Sequence, residues 1–193
     1  GTLTISPLAL TLTGTKTYDG VASVAAASLS ASNLVSGDTQ IGLGLSGSAT
    51  LASPHAGARA LSSLSGLSLT STNYTLAGAS GSVTVQPLAV TLSGTPVYNG
   101  TTSVAAADLT VSNLASGDTP SGLGLTGSAT MAGRHVGAQS LTSLSGLSIA
   151  NGDYTLAGAS GSVTVQALAV TLTGSRVYDG TTSVAAADLT VSN

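Results

Sequence analysis

Three triplets, Tyr18-Asp19-Gly20, Tyr98-Asn99-Gly100 and Tyr178-Asp179-Gly180, recur at a spacing of 80 residues. A carboxylate beside a phenol could serve as a general base or as a calcium ligand. Both roles need the negative charge, and the middle copy carries Asn99 where the others carry Asp. An Asx turn needs only the side-chain oxygen, which bonds the backbone two residues on, and the following Gly accepts a positive φ. The triplet therefore reads as a corner of the chain. Its Tyr lays the ring over the module edge and uses the hydroxyl to tie a loop. Tyr74 and Tyr154, in NYTLAG and DYTLAG, read as a second anchor of the same kind.

The other chemistry-bearing residues are sparse. His55 and His135 stand beside Arg59 and Arg134 in irregular stretches, with one His per repeat and no Cys or Glu in the chain. A metal needs two or three converging ligands, so a site could arise only between neighbouring modules, and no metal or cofactor is expected. The same count leaves Ser without a base and orienting partner, so no catalytic residue is assigned and the chain is not expected to be an enzyme. Asp38 and Asp118 lie in SGDT turns, isolated from the other acids that a calcium loop would gather. The GLGL stretches lack the Lys-Ser/Thr of a phosphate loop. Two Asn-x-Thr sequons, at Asn73 and Asn99, carry little weight in a chain so rich in Thr.

Composition narrows the partners. Charged residues are 6% of the chain and the net charge is −3, so no basic stripe awaits a phosphate backbone, and nucleic acid is excluded as an expected partner. Ser, Thr or Gly interrupts every apolar run well short of the roughly 18 residues of a membrane-spanning helix. Cys is absent, which removes disulfides and thiolate sites.

These residues are positioned by a repeat. Residues 8–87 superimpose on 88–167 without a gap, and 168–193 differ from 88–113 at four positions. Residues 1–7 match the end of a repeat, as GSVTVQP at 81–87 does. The expected division is 1–7 as the tail strand of a preceding copy, 8–87 and 88–167 as full repeats, and 168–193 as an incomplete one. A module border after 113 is the alternative frame. Beginning and ending inside a repeat, the sequence is expected to be an interior part of a longer array.

Within a repeat the period is two. Leu8, Leu10 and Leu12 alternate with Ala9, Thr11 and Thr13, and Val83 and Val85 alternate with Thr84 and Gln86. GLGLSGSATL continues the pattern with Leu43, Leu45, Ala49 and Leu51 on one face. Turn signals every 8 to 12 residues predict mainly-β, sandwich-like modules of about 80 residues in an elongated array. SVAAADL at 103–109 leaves two readings open. Either Ser103 caps a short Ala-rich helix lying on a β-grasp-like sheet, or the alanines line a tightly packed strand or loop.

The order of a Leu/Val-Thr strand, Tyr178-Asp179-Gly180-Thr181-Thr182, a later Ser-Gly-Asp, Gly-Leu-x-Leu, and Asn73-Tyr74-Thr75-Leu76 resembles the YDG-type repeats of large bacterial exoproteins. Such repeats occur in filamentous-haemagglutinin-like adhesins exported by two-partner secretion. The resemblance covers both full repeats and the fragment. It implies an extracellular, cell-surface location, a stalk or fibre supporting adhesion or a biofilm matrix, and no catalytic residues. The expected partners are neighbouring repeats and identical chains, the latter by strand exchange into filaments. The rival function is a multivalent module whose Thr/Ser/Asn face binds glycans or a host or bacterial surface protein.

Overall fold

The computed structural model describes residues 1–192. Strand accounts for 49% of the chain and helix for 9%, arranged as two tandem modules of about 80 residues, each a curled sheet forming a half-barrel. The expected mainly-β tandem architecture is what the chain forms.

The first module runs through β1 (Leu8–Thr17), β2 (Ser23–Ala25), β3 (Leu29–Ala31), β4 (Ser46–Leu51), β5 (Gly57–Ser63), β6 (Leu67–Ser68) and β7 (Tyr74–Gln86). Its strand order is β2-β4-β5-β7-β1-β3, with β6 also on β4. The second repeats it as β8 (Leu88–Gly94), β9 (Ser103–Ala105), β10 (Leu109–Val111), β11 (Thr126–Met131), β12 (Gly137–Ser143), β13 (Leu147–Ser148) and β14 (Tyr154–Val165). Beyond it, β15 (Thr171–Gly174) and β16 (Leu189–Ser192) pair as a two-stranded antiparallel sheet.

The pairing that positions the junction between modules is parallel. β1 lies beside β7 with Leu8 opposite Tyr74 and Thr17 opposite Gln86, and β8 lies beside β14 with Leu88 opposite Tyr154. Every other strand pair is antiparallel. First and last strands of a module therefore share one direction, side by side within its sheet. The register slips by three residues between Ala9 and Thr11, where Leu76–Ala79 bulge around Gly78 at φ +74°.

The core is built from the predicted alternation. Leu10, Leu12, Val83 and Val85 are buried in the first module, as are Val90, Leu92, Val163 and Val165 in the second. With no Phe or Trp to fill space, strands approach closely, and a Cβ at Gly81 would collide with the Leu12 carbonyl oxygen. β8 is shorter than β1 because Pro96 stands where Lys16 stands and has no N–H for the ladder, leaving only the bridge from Val97 to Gln166 beyond it.

Two local expectations change. The SVAAADL stretch is neither a helix nor one strand: Ser103–Ala105 is β9, Ala106–Asp108 is one 3-10 turn, and β10 follows. Ser103 caps nothing, since the residue before the turn is Ala105 and makes no side-chain cap. Seven residues with three consecutive alanines have too little apolar surface to hold two helical turns against the sheet. The strand expected from Leu43 to Leu51 begins only at Ser46. Before it lies a four-residue helix, α1 (Gln40–Leu43), capped by Thr39 Oγ1 accepting from the Gly42 N–H at 3.2 Å and closed by Gly44 at φ +58°. α2 (Pro120–Leu123) repeats it, and Leu43 and Leu123 reach the core from these turns.

Candidate functional site

Each Tyr-Asx-Gly triplet forms an Asx turn. The N–H groups of Val21, Thr101 and Thr181 donate to Asp19 Oδ1, Asn99 Oδ1 and Asp179 Oδ1 at 3.0, 3.0 and 2.9 Å. Gly20, Gly100 and Gly180 sit at φ +79°, +77° and +77°. Burial by itself would raise the Asp19 carboxyl, but Lys16 Nζ at 2.7 Å and the Val21 N–H outweigh it and hold the group below the usual carboxylate range. Bonds from the Thr181 N–H and hydroxyl, with help from Arg176, lower Asp179 likewise.

Topology carries these corners to one place. Because β1 runs parallel to β7, the corner that ends β1 lies beside the end of β7, and Tyr18 N–H bonds the Gln86 carbonyl at 2.8 Å. Only Pro87 separates β7 from β8. By the same pairing, Tyr154 starts β14 next to Leu88 at the start of β8. The exit face of the first module, with Tyr18, Gly20 and His55, therefore meets the receiving face of the second, with Ala115, Asp118, Asp153 and Tyr154.

The contacts across this joint are specific. Tyr18 Oη donates to Asp118 Oδ2 at 2.9 Å, and Tyr154 Oη donates to the same oxygen at 2.6 Å while accepting from the Ala115 N–H at 2.9 Å. The two phenol rings meet edge to face with centroids 5.5 Å apart, and the His55 ring stacks on Tyr18 at 6.5 Å. His55 Nδ1 lies 2.7 Å from Asp153 Oδ2, and the Ala56 N–H donates to Asp153 Oδ1 at 2.7 Å. Asp153 is buried by this arrangement. Burial first, then the Asp118 bond, pushes the Tyr154 phenol up to about 12, and the same causes in the same order raise Tyr18 further.

A gradient of exposure follows the triplets along the chain. Tyr18, seated in the joint, is 5% exposed, Tyr98 is half-buried, and Tyr178 is 89% exposed. The receiving face of the first module keeps the same hydrogen bonds without a module seated on it. Tyr74 Oη donates to Asp38 Oδ2 at 2.6 Å and accepts from the Val35 N–H at 2.9 Å, and the Asp38 bond raises the Tyr74 phenol. Val35 is 58% exposed there, whereas its counterpart Ala115 is 9%.

Tyr18, Tyr74, Tyr154 and the Asx-Gly corners thus occupy the joint or its repeats. Asp38 and Asp118, which the sequence places in SGDT turns, accept from tyrosine hydroxyls, Asp38 from Tyr74 and Asp118 from both Tyr154 and Tyr18. Asp153 was missed. Its counterpart Asn73 bears no charge, so comparing repeats marks the position as variable and conceals its role at this joint. Among the described residues no third ligand-type side chain joins His55 and Asp153 in a group that could hold a metal.

A joint of this kind defines a class, that of tandem β modules docked end to end through tyrosine corners. The YDG domain model matches residues 2–83 and 82–163, and the chain belongs to the YDG domain family. No curated protein and no solved structure matches it.

Proposed function

We propose that these modules form a stretch of the stalk or fibre of a secreted bacterial surface adhesin, outside the cell, where their work is mechanical and not catalytic. The observation that carries this reading is the joint. A one-residue link leaves little slack, and two tyrosines sharing Asp118, together with the His55–Asp153 contact, hold one module's exit face to the next module's receiving face. A solenoid or rod needs such nearest-neighbour interfaces to keep its direction. The tandem YDG match supports the repeat-array part of this reading, and the resemblance of the repeats to those of two-partner-secreted exoproteins motivates the adhesin part.

Small-angle scattering of the chain tests the mechanical part. A stalk gives one narrow distribution of intermodule distance that Tyr18→Ala with Asp118→Ala broadens. Two freely hinged beads in the unaltered chain would overturn it. Adhesion and biofilm assays on cells whose surface protein lacks these repeats test the setting: shortened reach and weakened attachment are expected, and unchanged attachment counts against an adhesin.

A further inference from the structure

The two modules differ where the outer strand of the sheet meets the short helix. β3 ends the first sheet. The Ser32 N–H turns inward to the Thr11 carbonyl at 2.9 Å, so by alternation the Ala31 N–H and Leu29 carbonyl face outward. Gln40, the first residue of α1, takes both: its Oε1 accepts from the Ala31 N–H at 2.8 Å and its Nε2 donates to the Leu29 carbonyl at 3.2 Å. One side chain thereby closes an edge that would otherwise be open to pairing.

In the second module Pro120 stands in place of Gln40. Proline suits the first turn of a helix but offers no side-chain polar group. The equivalent outer strand is β10, whose Ser112 N–H turns inward to the Thr91 carbonyl at 2.9 Å. Its outward Val111 N–H and Leu109 carbonyl have no hydrogen-bond partner among the described residues. A groove of about 270 Å³ lies between β10 and α2, lined by Leu109, Val111, Pro120, Ser121 and Leu125.

We propose that this groove is a docking slot for the side-chain carboxamide of a glutamine on a partner polypeptide. The first module shows what such an occupant must offer, a donor and an acceptor on one carbon aimed the same way. A primary carboxamide does this. A backbone or N-acetyl amide is trans, with its N–H and carbonyl directed oppositely, so one such group satisfies only one of the two edge atoms. A carboxylate has no donor for the Leu109 carbonyl. Pro120 at the start of α2 lines the same groove as the edge residues Leu109 and Val111, and the groove has room for a side chain with its methylene stem against these three. The proposal stands apart from the stalk reading and survives its failure.

The test is a titration of the full ¹⁵N-labelled chain with N-acetyl-glutamine methylamide, followed by amide chemical shifts. Dose-dependent shifts are expected at Leu109–Val111 and Ser121–Leu125 and none at Ala31. The glutamate analogue is expected to shift neither. Pro120→Gln, which installs the residue of the sister module and so preserves the fold, should abolish the response at Val111. Gln40→Ala should create a second response at Ala31. Silence at Val111, equal responses to glutamine and glutamate, an equal response to an N-acetylated dipeptide without a carboxamide as in plain strand addition, or a response that survives Pro120→Gln would each overturn the proposal.

Discussion

Tyr18→Phe removes one oxygen and tests whether the joint is held by the tyrosine corner. The hydroxyl donates to Asp118 at 2.9 Å from a ring that is 5% exposed. A hydrogen bond to a charged group contributes about 1.5–3 kcal/mol. Asp118 keeps its 2.6 Å bond from Tyr154, so no carboxylate is left unpaired, which places the loss near the lower end, about 1.5 kcal/mol. That is roughly tenfold in the unfolding equilibrium constant. Tyr98→Phe is the internal control, because its hydroxyl makes no hydrogen bond among the described residues and its removal should change stability by less than about 0.5 kcal/mol. Urea unfolding of the full chain measures both. A double-mutant cycle with Asp118→Asn should show that the two losses are not additive, as expected of groups in contact. Equal effects of Tyr18→Phe and Tyr98→Phe, or full additivity with Asp118→Asn, would refute the claim that this bond holds the joint.

Further outcomes follow from the same geometry. Gly20→Ala should cost more than Gly100→Ala in thermal unfolding: both sit at left-handed φ, worth about 1–2 kcal/mol of strain, but a Cβ at Gly20 would stand 3.0 Å from the Ser116 carbonyl oxygen, whereas at Gly100 nothing lies nearer than Tyr98 Oη at 4.0 Å. Asp153→Ala strands the Ala56 N–H in the joint and should cost about 1–3 kcal/mol, while Asn73→Ala, at an exposed position with no side-chain hydrogen bond, should be near neutral in the same assay. Because folding raises the Tyr18 and Tyr154 phenols, their contribution to stability is complete below the ordinary phenol value of about 10 and is lost as pH climbs from there through the raised values; phenolate absorbance should show this late titration, reduced but not abolished in Asp118→Asn since burial is the larger cause. Asp19→Asn should keep the corner, as Asn99 does, whereas Asp19→Ala should cost about 1 kcal/mol by chemical denaturation.

What the sequence revealed divides by the range of the interaction. The Asx turns act over two residues and depend on side-chain type alone, so Asp19, Asn99 and Asp179 were legible at once, as was the alternation that buries Leu10, Leu12, Val83 and Val85. α1 was hidden because its four residues carry two helix-breaking signals, Gly42 and the Gly44 that follows, and the same Leu spacing suits a strand. The joint was hidden because Tyr18 and Asp118 lie 100 residues apart and His55 and Asp153 98 apart, distances at which pattern carries no pairing information. Each member, met alone, reads as a loop residue. The edge clip escaped for another reason: Gln40 and Pro120 both suit a helix start, and their difference has meaning only beside an outer strand.

One topological fact explains why duplication of such a module yields a joint without further design. With first and last strands parallel and side by side within the sheet, the end of the first strand and the end of the last point the same way. The corner after the first strand must then lie where the chain leaves for the next module. The start of the last strand, with its Tyr74 or Tyr154, must lie where the chain arrives. Appending a second copy brings an exiting tyrosine against a receiving Tyr–Asp pair that already exists for the module's own loop, since Tyr74 bonds Asp38 with no exit face present. The incoming Tyr18 adds a second donor to an acceptor that is already in place. Asp19 and its counterparts serve their own turns, and Asn99 shows that the turn tolerates Asn, whereas Tyr18, beside the first of them, works in trans on the next module. The first triplet is therefore both a turn and half of an interface, and its two functions rest on different side chains, Asp19 and Tyr18.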